Sequence, residues 1–110
     1  MKIIQMKDIK APHGEVATFQ GLEHEANISF FIVNFSPGKG PGKHRHPYEE
    51  TFIILDGEIE AVVDGETQVL GSDTIAIIPA GTWHEFKNRS AEKVSMVNIH
   101  PVPKMITEWG

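Results

Sequence analysis

"GKGPGKHRHPYEETFIILDG", residues 38–57, decides the fold. It sets His44 and His46 one residue apart, places Glu50 four residues later, and runs straight into Thr51-Phe52-Ile53-Ile54-Leu55. Glycines at 38 and 57 punctuate the two ends. Side chains alternate along a strand, so His44 and His46 project from one face with Arg45 on the other. After a turn at Pro47-Tyr48-Glu49, Glu50 opens the next strand, where an antiparallel neighbour brings it within reach of the histidine pair. Two imidazoles and a carboxylate with open positions suit non-haem Fe(II), and also Mn, Ni, Co, Zn or Cu. A solvated loop rich in His and Glu would read the same way, so the rest of the chain must decide.

Outward from this stretch the chain is a series of short β-branched and aromatic runs between turn residues. "NISFFIVNF" (27–35) reads as a strand closed by "SPGKGPG", and "TFIIL" (51–55) as one closed by Asp56-Gly57. "EIEAVV" (58–63) meets Asp64-Gly65 and then "ETQVL", the short-range signature of a hairpin. "TIAII" (74–78), "WHEFKN" (83–88) and "VSMVNI" (94–99) follow. Strands at this spacing predict an all-β sandwich or barrel. Helical periodicity is absent apart from a turn expected in "KMITEWG". Within "IIPAGTWHEFKN" (77–88), His84 opens a strand, and in a closed barrel it becomes a fourth ligand candidate. Viewed alone it reads as a core or turn histidine.

With 110 residues the chain suits a single domain, 1–110, large enough to bury a core. Net charge is -5 with basic residues scattered, which argues against a nucleic-acid partner. The absence of cysteine removes disulfides and thiolate chemistry, leaving histidine and carboxylate as the metal ligands available. No apolar run has the length of a bilayer span, and "MKIIQMKDIK" carries no secretory apolar core, so the expected location is cytoplasmic, with no membrane partner.

The two histidine segments together resemble the cupins. Their first motif, G-x5-H-x-H-x3-4-E-x6-G, is matched by Gly38, His44, His46, Glu50 and Gly57. Their second, G-x5-P-x-G-x2-H-x3-N, is matched by Pro79, Gly81, His84 and Asn88, while its opening glycine falls on Asp73, with Gly71 two residues earlier. The motifs span 38–57 and 73–88. The resemblance implies a double-stranded β-helix (jelly-roll) barrel and a divalent metal, Fe, Mn, Ni or Zn, held by His44, His46, Glu50 and His84. It also implies pairing of subunits. Cupins include dioxygenases, oxalate-degrading enzymes, isomerases, epimerases and lyases, and non-catalytic binding proteins. A chain of this length leaves no room for the helix-turn-helix of the regulators or the second barrel of the storage proteins.

Around the site, Phe52 and Ile54 share the parity of Glu50, and Phe86 that of His84, so all three should face inward. Asn34, Asn98 and His100 are the inward polar candidates beyond the ligands. His100 is the candidate for a supporting or proton-transfer role, with a strand-end histidine before Pro101 as the alternative. His13 and His24 should be solvated, and Trp83 should pack at the cavity mouth or a subunit contact. No residue is assigned to an organic cofactor. Few polar groups line the expected interior, which tilts the reading to a metal-dependent dioxygenase acting on a small chelating molecule. The alternatives are an isomerase, epimerase or lyase using the metal as Lewis acid, or a small-ligand-binding protein. The apolar surface of the first strands and of 27–35 exceeds what one interior can use, which predicts a homodimer.

Overall fold

The computed structural model describes residues 1–110. Ten strands follow one another: β1 (Val16–Phe19), β2 (Ser29–Phe35), β3 (His44–Arg45), β4 (Glu50–Asp56), β5 (Glu58–Val63), β6 (Glu66–Gly71), β7 (Thr74–Ile78), β8 (His84–Lys87), β9 (Val94–His100) and β10 (Glu108–Trp109). They form two antiparallel sheets, ordered β1-β2-β9-β4-β7 and β10-β3-β8-β5-β6. One apolar cluster joins the sheets, with Val33, Phe52, Ile54 and Met96 from the first meeting Ile59, Ala61 and Phe86 from the second. This is the double-stranded β-helix barrel. Two short 3-10 turns, Met6–Asp8 and Gly21–His24, are its helical pieces, and no helix is long and apolar enough to cross a membrane.

Strand alternation builds the interior in layers. Phe31, Asn98, Phe52 and Ala76 lie side by side across β2, β9, β4 and β7. Val33, Met96, Ile54 and Thr74 form the next layer on one side. On the other side lie Ser29, paired with His100, and Glu50, paired with Ile78. Burial follows the alternation without a break along β9, where Val94, Met96, Asn98 and His100 are buried and the residues between are not. Apart from Asn98 and Thr74 the lower layers are apolar and supply the hydrophobic stabilisation, while the upper layer carries ionisable groups.

Turn chemistry fixes the register. Asp64 and Gly65 both adopt positive φ (50° and 80°) between the paired residues Val63 and Glu66, the geometry a two-residue hairpin needs. At Gly57 (φ 84°) a Cβ would sit 2.6 Å from the Lys93 carbonyl oxygen, so the turn from the first sheet into the second requires glycine. Asp73, at the position of the second motif's missing glycine, also has positive φ (64°) and donates its N–H to the Ile54 carbonyl. Aspartate tolerates that region better than most residues, so the departure leaves the turn intact.

Several expectations are corrected. "KMITEWG" contains strand β10 rather than a turn of helix. Asn34 shares the outward parity of Phe30 and Ile32, since Val33 and Phe35 are the inward residues of β2, so it does not reach the interior. His24 is half-buried, stacked on Phe19 with ring centroids 4.6 Å apart, whereas His13 is exposed as expected.

Candidate metal centre

Glu50 is brought to the histidines from the opposite sheet, not from an antiparallel neighbour of their strand. β3 pairs instead with β8, setting His44 directly against His84, while His46 follows the end of β3 and Glu50 opens β4. Two backbone hydrogen bonds lock the segments together. The Gly81 N–H donates to the His46 carbonyl (2.7 Å), and the Gly38 N–H donates to the Asn88 carbonyl (2.6 Å). Asn88 is fully buried and donates to the carbonyls of Phe35 and Glu92. The motif asparagine therefore organises the loop after β8 and touches no ligand.

One ligand atom from each of His44, His46, Glu50 and His84 lies within 4.8 Å of the others, and all four side chains are buried. Each imidazole has its Nδ1 beside a backbone carbonyl: Gly42 for His44 (2.7 Å), Ile106 for His46 (2.7 Å) and Thr82 for His84 (2.8 Å). A carbonyl only accepts, so in each ring Nδ1 carries the proton and donates it. The neutral ring then offers a bare Nε2 lone pair.

The Nε2 atoms of His46 and His84 stand 3.1 and 3.0 Å from Glu50 Oε1. His46 Nε2 is buried and has no hydrogen-bond partner. Two lone pairs facing a carboxylate oxygen repel unless a positive charge sits among them, either a proton or a metal cation. A set of three histidines and one glutamate with this tautomer pattern suits a divalent metal.

The electrostatics point the same way. Burial would raise the Glu50 carboxyl, but His100, His46 and His84 outweigh it and hold Glu50 well below the ordinary carboxylate range. Burial lowers His44, with only partial compensation from its contact with the Gly42 carbonyl. Burial also opposes protonation of His46, yet Glu50 and the Ile106 carbonyl more than reverse this and raise it. The carboxylate therefore stays ionised across the neutral range, and the imidazoles are the groups a cation must win from protons.

His100 belongs to this constellation. It is the last residue of β9 and fully buried, with Nε2 3.1 Å from Glu50 Oε2, though not well aligned as a hydrogen bond. Its Nδ1 lies 2.5 Å from the Tyr48 hydroxyl, which also accepts the Ile106 N–H (3.1 Å). Tyr48 sits inside the first motif but reads as a turn residue in sequence, and nothing there indicates that it reaches the end of β9.

The segment after β9 is the other part that sequence reasoning misses. The Ile106 carbonyl holds His46, Thr107 Oγ1 lies 3.4 Å from the same Nδ1, and Trp109 pairs with His44, ring centroids 5.0 Å apart. A backbone acceptor has no side-chain signature, so this support is invisible in the letters. Trp109, not Trp83, lines the cavity beside the site. Trp83 instead packs under the Arg45 guanidinium (4.3 Å), which pairs with Glu108 (2.6 Å) on the outer side.

That cavity measures about 200 Å³ and opens beside His44, His46 and Glu50. Val16, Phe31, Val33, Phe35 and Phe86 form much of its wall, with Asn98, His100 and Thr107 as its other polar side chains. Phe52 and Ile54 face inward as expected but lie fully buried in the layers beneath.

Comparison with known proteins agrees with this architecture. Residues 31–100 match the cupin domain family. A quercetin 2,3-dioxygenase of Bacillus subtilis (strain 168) is 37% identical over 79 residues, which are 69% of this chain and 23% of that protein. A Streptomyces cyaneus protein named polyketide synthase CurC is 39% identical over 62 residues, 56% of this chain and 40% of that one. The chain thus spans under half the length of either relative. Among solved structures, an oxalate decarboxylase–formate complex from Lactobacillus farciminis superimposes with a TM-score of 0.82 at 21% identity, covering 96% of this chain and 35% of that chain, a likeness of fold.

Proposed function

The chain belongs to the cupin family, and from that premise we propose that it is a metal-dependent dioxygenase acting on a small molecule that chelates the metal. His44, His46, Glu50 and His84 hold the ion, which when bound supplies Lewis acidity and, if iron or manganese, a redox couple. The net reaction places both atoms of one O2 in the organic product. The observation that carries this reading is the apolar cavity lying directly against the ligand set. Aromatic and branched walls exclude water from a reactive centre and offer few groups to hold a sugar's hydroxyls. The relative named as a quercetin dioxygenase supports the same chemical class.

The protein's own residues have definite parts in this scheme. The carbonyls of Gly42, Ile106 and Thr82 keep the three Nδ1 positions protonated and so present Nε2 to the ion. His100 stands against Oε2 of Glu50, so Oε1 is the oxygen that faces His46 and His84, where a bound ion would be held. Phe31, Phe35 and Phe86 shape the space in which substrate lies.

A second reading rests on the Tyr48–His100–Glu50 line. A hydroxyl and an imidazole in contact beside the ligand set can take up and return a proton, as an isomerase or lyase using the metal as Lewis acid requires. Oxygen uptake separates the two. Iron- or manganese-loaded protein is offered catechols, diketones, enediols and thiols, and uptake with one class supports the dioxygenase. Anaerobic isomerisation or cleavage of a keto-sugar or oxo-acid, with no oxygen consumed, replaces it with the second reading. Binding without turnover of any compound makes the protein a ligand-binding module. Metal content tests the site itself: His46→Ala combined with His84→Ala should abolish stoichiometric metal and leave the far-UV spectrum unchanged.

A further inference from the structure

Asn98 is out of place. Its neighbours across the ladder are Phe31 on β2 and Phe52 on β4, so an amide occupies the centre of an aromatic layer. The residue is 3% exposed, and its Oδ1 is buried without a hydrogen-bond partner. Leaving such an acceptor unpaired costs stability relative to an apolar residue of the same shape. A leucine would complete the layer. The side chain also lines the cavity that opens beside Glu50 and His46. An amide that lines an apolar cavity with no hydrogen-bond partner in the protein is an incomplete pair whose other half comes from what enters.

We propose that Asn98 is the residue that reads the substrate, its amide hydrogen-bonding a hydroxyl on the side of the molecule away from the metal. This rests on the reading of the site as a metal centre that takes a chelating substrate. Geometry sets the class. Asn98 lies two residues before His100 on β9, about 7 Å along the strand from the ligand layer. A molecule holding the metal with two adjacent oxygens reaches that far with a donor across one ring. The cavity of about 200 Å³ lies below the roughly 300–1,000 Å³ that encloses drug-sized ligands. A cavity of this volume, open on one side, suits a single-ring or comparably compact chelator with one further hydroxyl better than it suits a three-ring flavonol.

The test uses metal-loaded full chain under argon and two probes: catechol, and the benzenetriol whose third hydroxyl lies across the ring from the catechol pair. Dissociation constants come from calorimetry, and metal content is measured on each sample. Wild type should bind the triol about five- to tenfold more tightly, the worth of one neutral hydrogen bond. Asn98→Leu should bind the two probes equally while keeping its metal, and its metal-free form should melt at a higher temperature because the orphan amide is gone. Asn98→Ser, which withdraws the amide but keeps the position polar, should also lose the discrimination. Wild type that fails to prefer the triol, or an Asn98→Leu protein that still prefers it, overturns the inference. A quercetin-sized flavonol binding as tightly as the triol overturns the size argument. Wild type that holds no metal overturns the parent reading instead, and the measured metal content identifies that case.

Discussion

Glu50 and His100 open and close neighbouring strands and meet across the β4–β9 ladder, with Glu50 Oε2 3.1 Å from His100 Nε2. The other carboxylate oxygen faces His46 and His84. One carboxylate is thus divided between a ligand set and a supporting histidine. Residues that orient a metal-binding carboxylate without touching the ion typically contribute about ten- to hundredfold to affinity. His100→Leu should lower metal affinity by about that factor, and His100→Gln, which retains an N–H in the same region, should recover much of it. Competition with a chromophoric chelator measures both. Wild-type affinity in the leucine variant would remove His100 from the centre.

The pH response follows from the directions of the shifts. Glu50 is held below the ordinary carboxylate range and stays ionised across the neutral region, so it does not gate metal uptake. His46 is raised by Glu50 and the Ile106 carbonyl despite its burial, so in the metal-free protein it keeps a proton to higher pH than a free imidazole. Metal must displace that proton. Affinity should therefore rise with pH through the neutral range, by about tenfold per unit for each proton displaced, and level off above the raised His46 value. Metal titrations at intervals from acidic to mildly alkaline pH give the slope, and a flat profile would contradict the assignment.

Much of this architecture is legible in the letters, for physical reasons that differ from element to element. β5 and β6 can be read because Asp64-Gly65 permits few conformations other than a tight hairpin, and β7 because "TIAII" is bounded by turn residues on both sides. The four ligand candidates stand out because imidazoles and a carboxylate are costly to bury without a shared partner. β1 and β10 are not legible as strands. Each has four residues or fewer, and pairing rather than local preference holds it, as Val16 with Val33 and Trp109 with His44 show. The facing arrangement of Glu50 and His44 misleads for a related reason. A turn of three residues between two strands suggests a hairpin, but here it carries the chain from one sheet to the other.

The segment after β9 should prove part of the metal site. Besides accepting from His46, it anchors through the Gly110 N–H on the Lys43 carbonyl (2.9 Å) and through Met105 N–H on Gln20 Oε1 (3.2 Å). Removing residues 105–110 frees the His46 Nδ1 proton from its acceptor and unpairs one edge of β3, while the apolar layers remain. Metal affinity should fall at least about tenfold, the usual effect of losing an orienting partner of a ligand histidine. Far-UV circular dichroism should change little. A truncated protein with unaltered affinity would show that the cavity side alone orients His46.

The outer face of the β2-β9-β4-β7 sheet predicts association of two copies. Its side chains run Phe30 beside Ile99, Ile32 beside Val97, Val97 beside Ile53, and Ile53 beside Ile75. Ile75, Ile77 and Leu55 are exposed by 67%, 60% and 54%. An antiparallel sheet with one solvated face normally alternates apolar and polar residues, and these strands do not. A contiguous apolar face of this kind marks an interface. A second copy is the occupant that the expectation of subunit pairing favours, and laying the same face of two protomers together buries both patches at once. Sedimentation equilibrium at micromolar concentration should give twice the 12.2 kDa chain mass. Ile75→Lys with Ile77→Lys should yield monomer. Both side chains are largely solvated in the protomer, so the change to the protomer's own stability should stay within about 0.5 kcal/mol per site. A wild-type protein that sediments as a monomer, or a double variant that still pairs, would refute this interface.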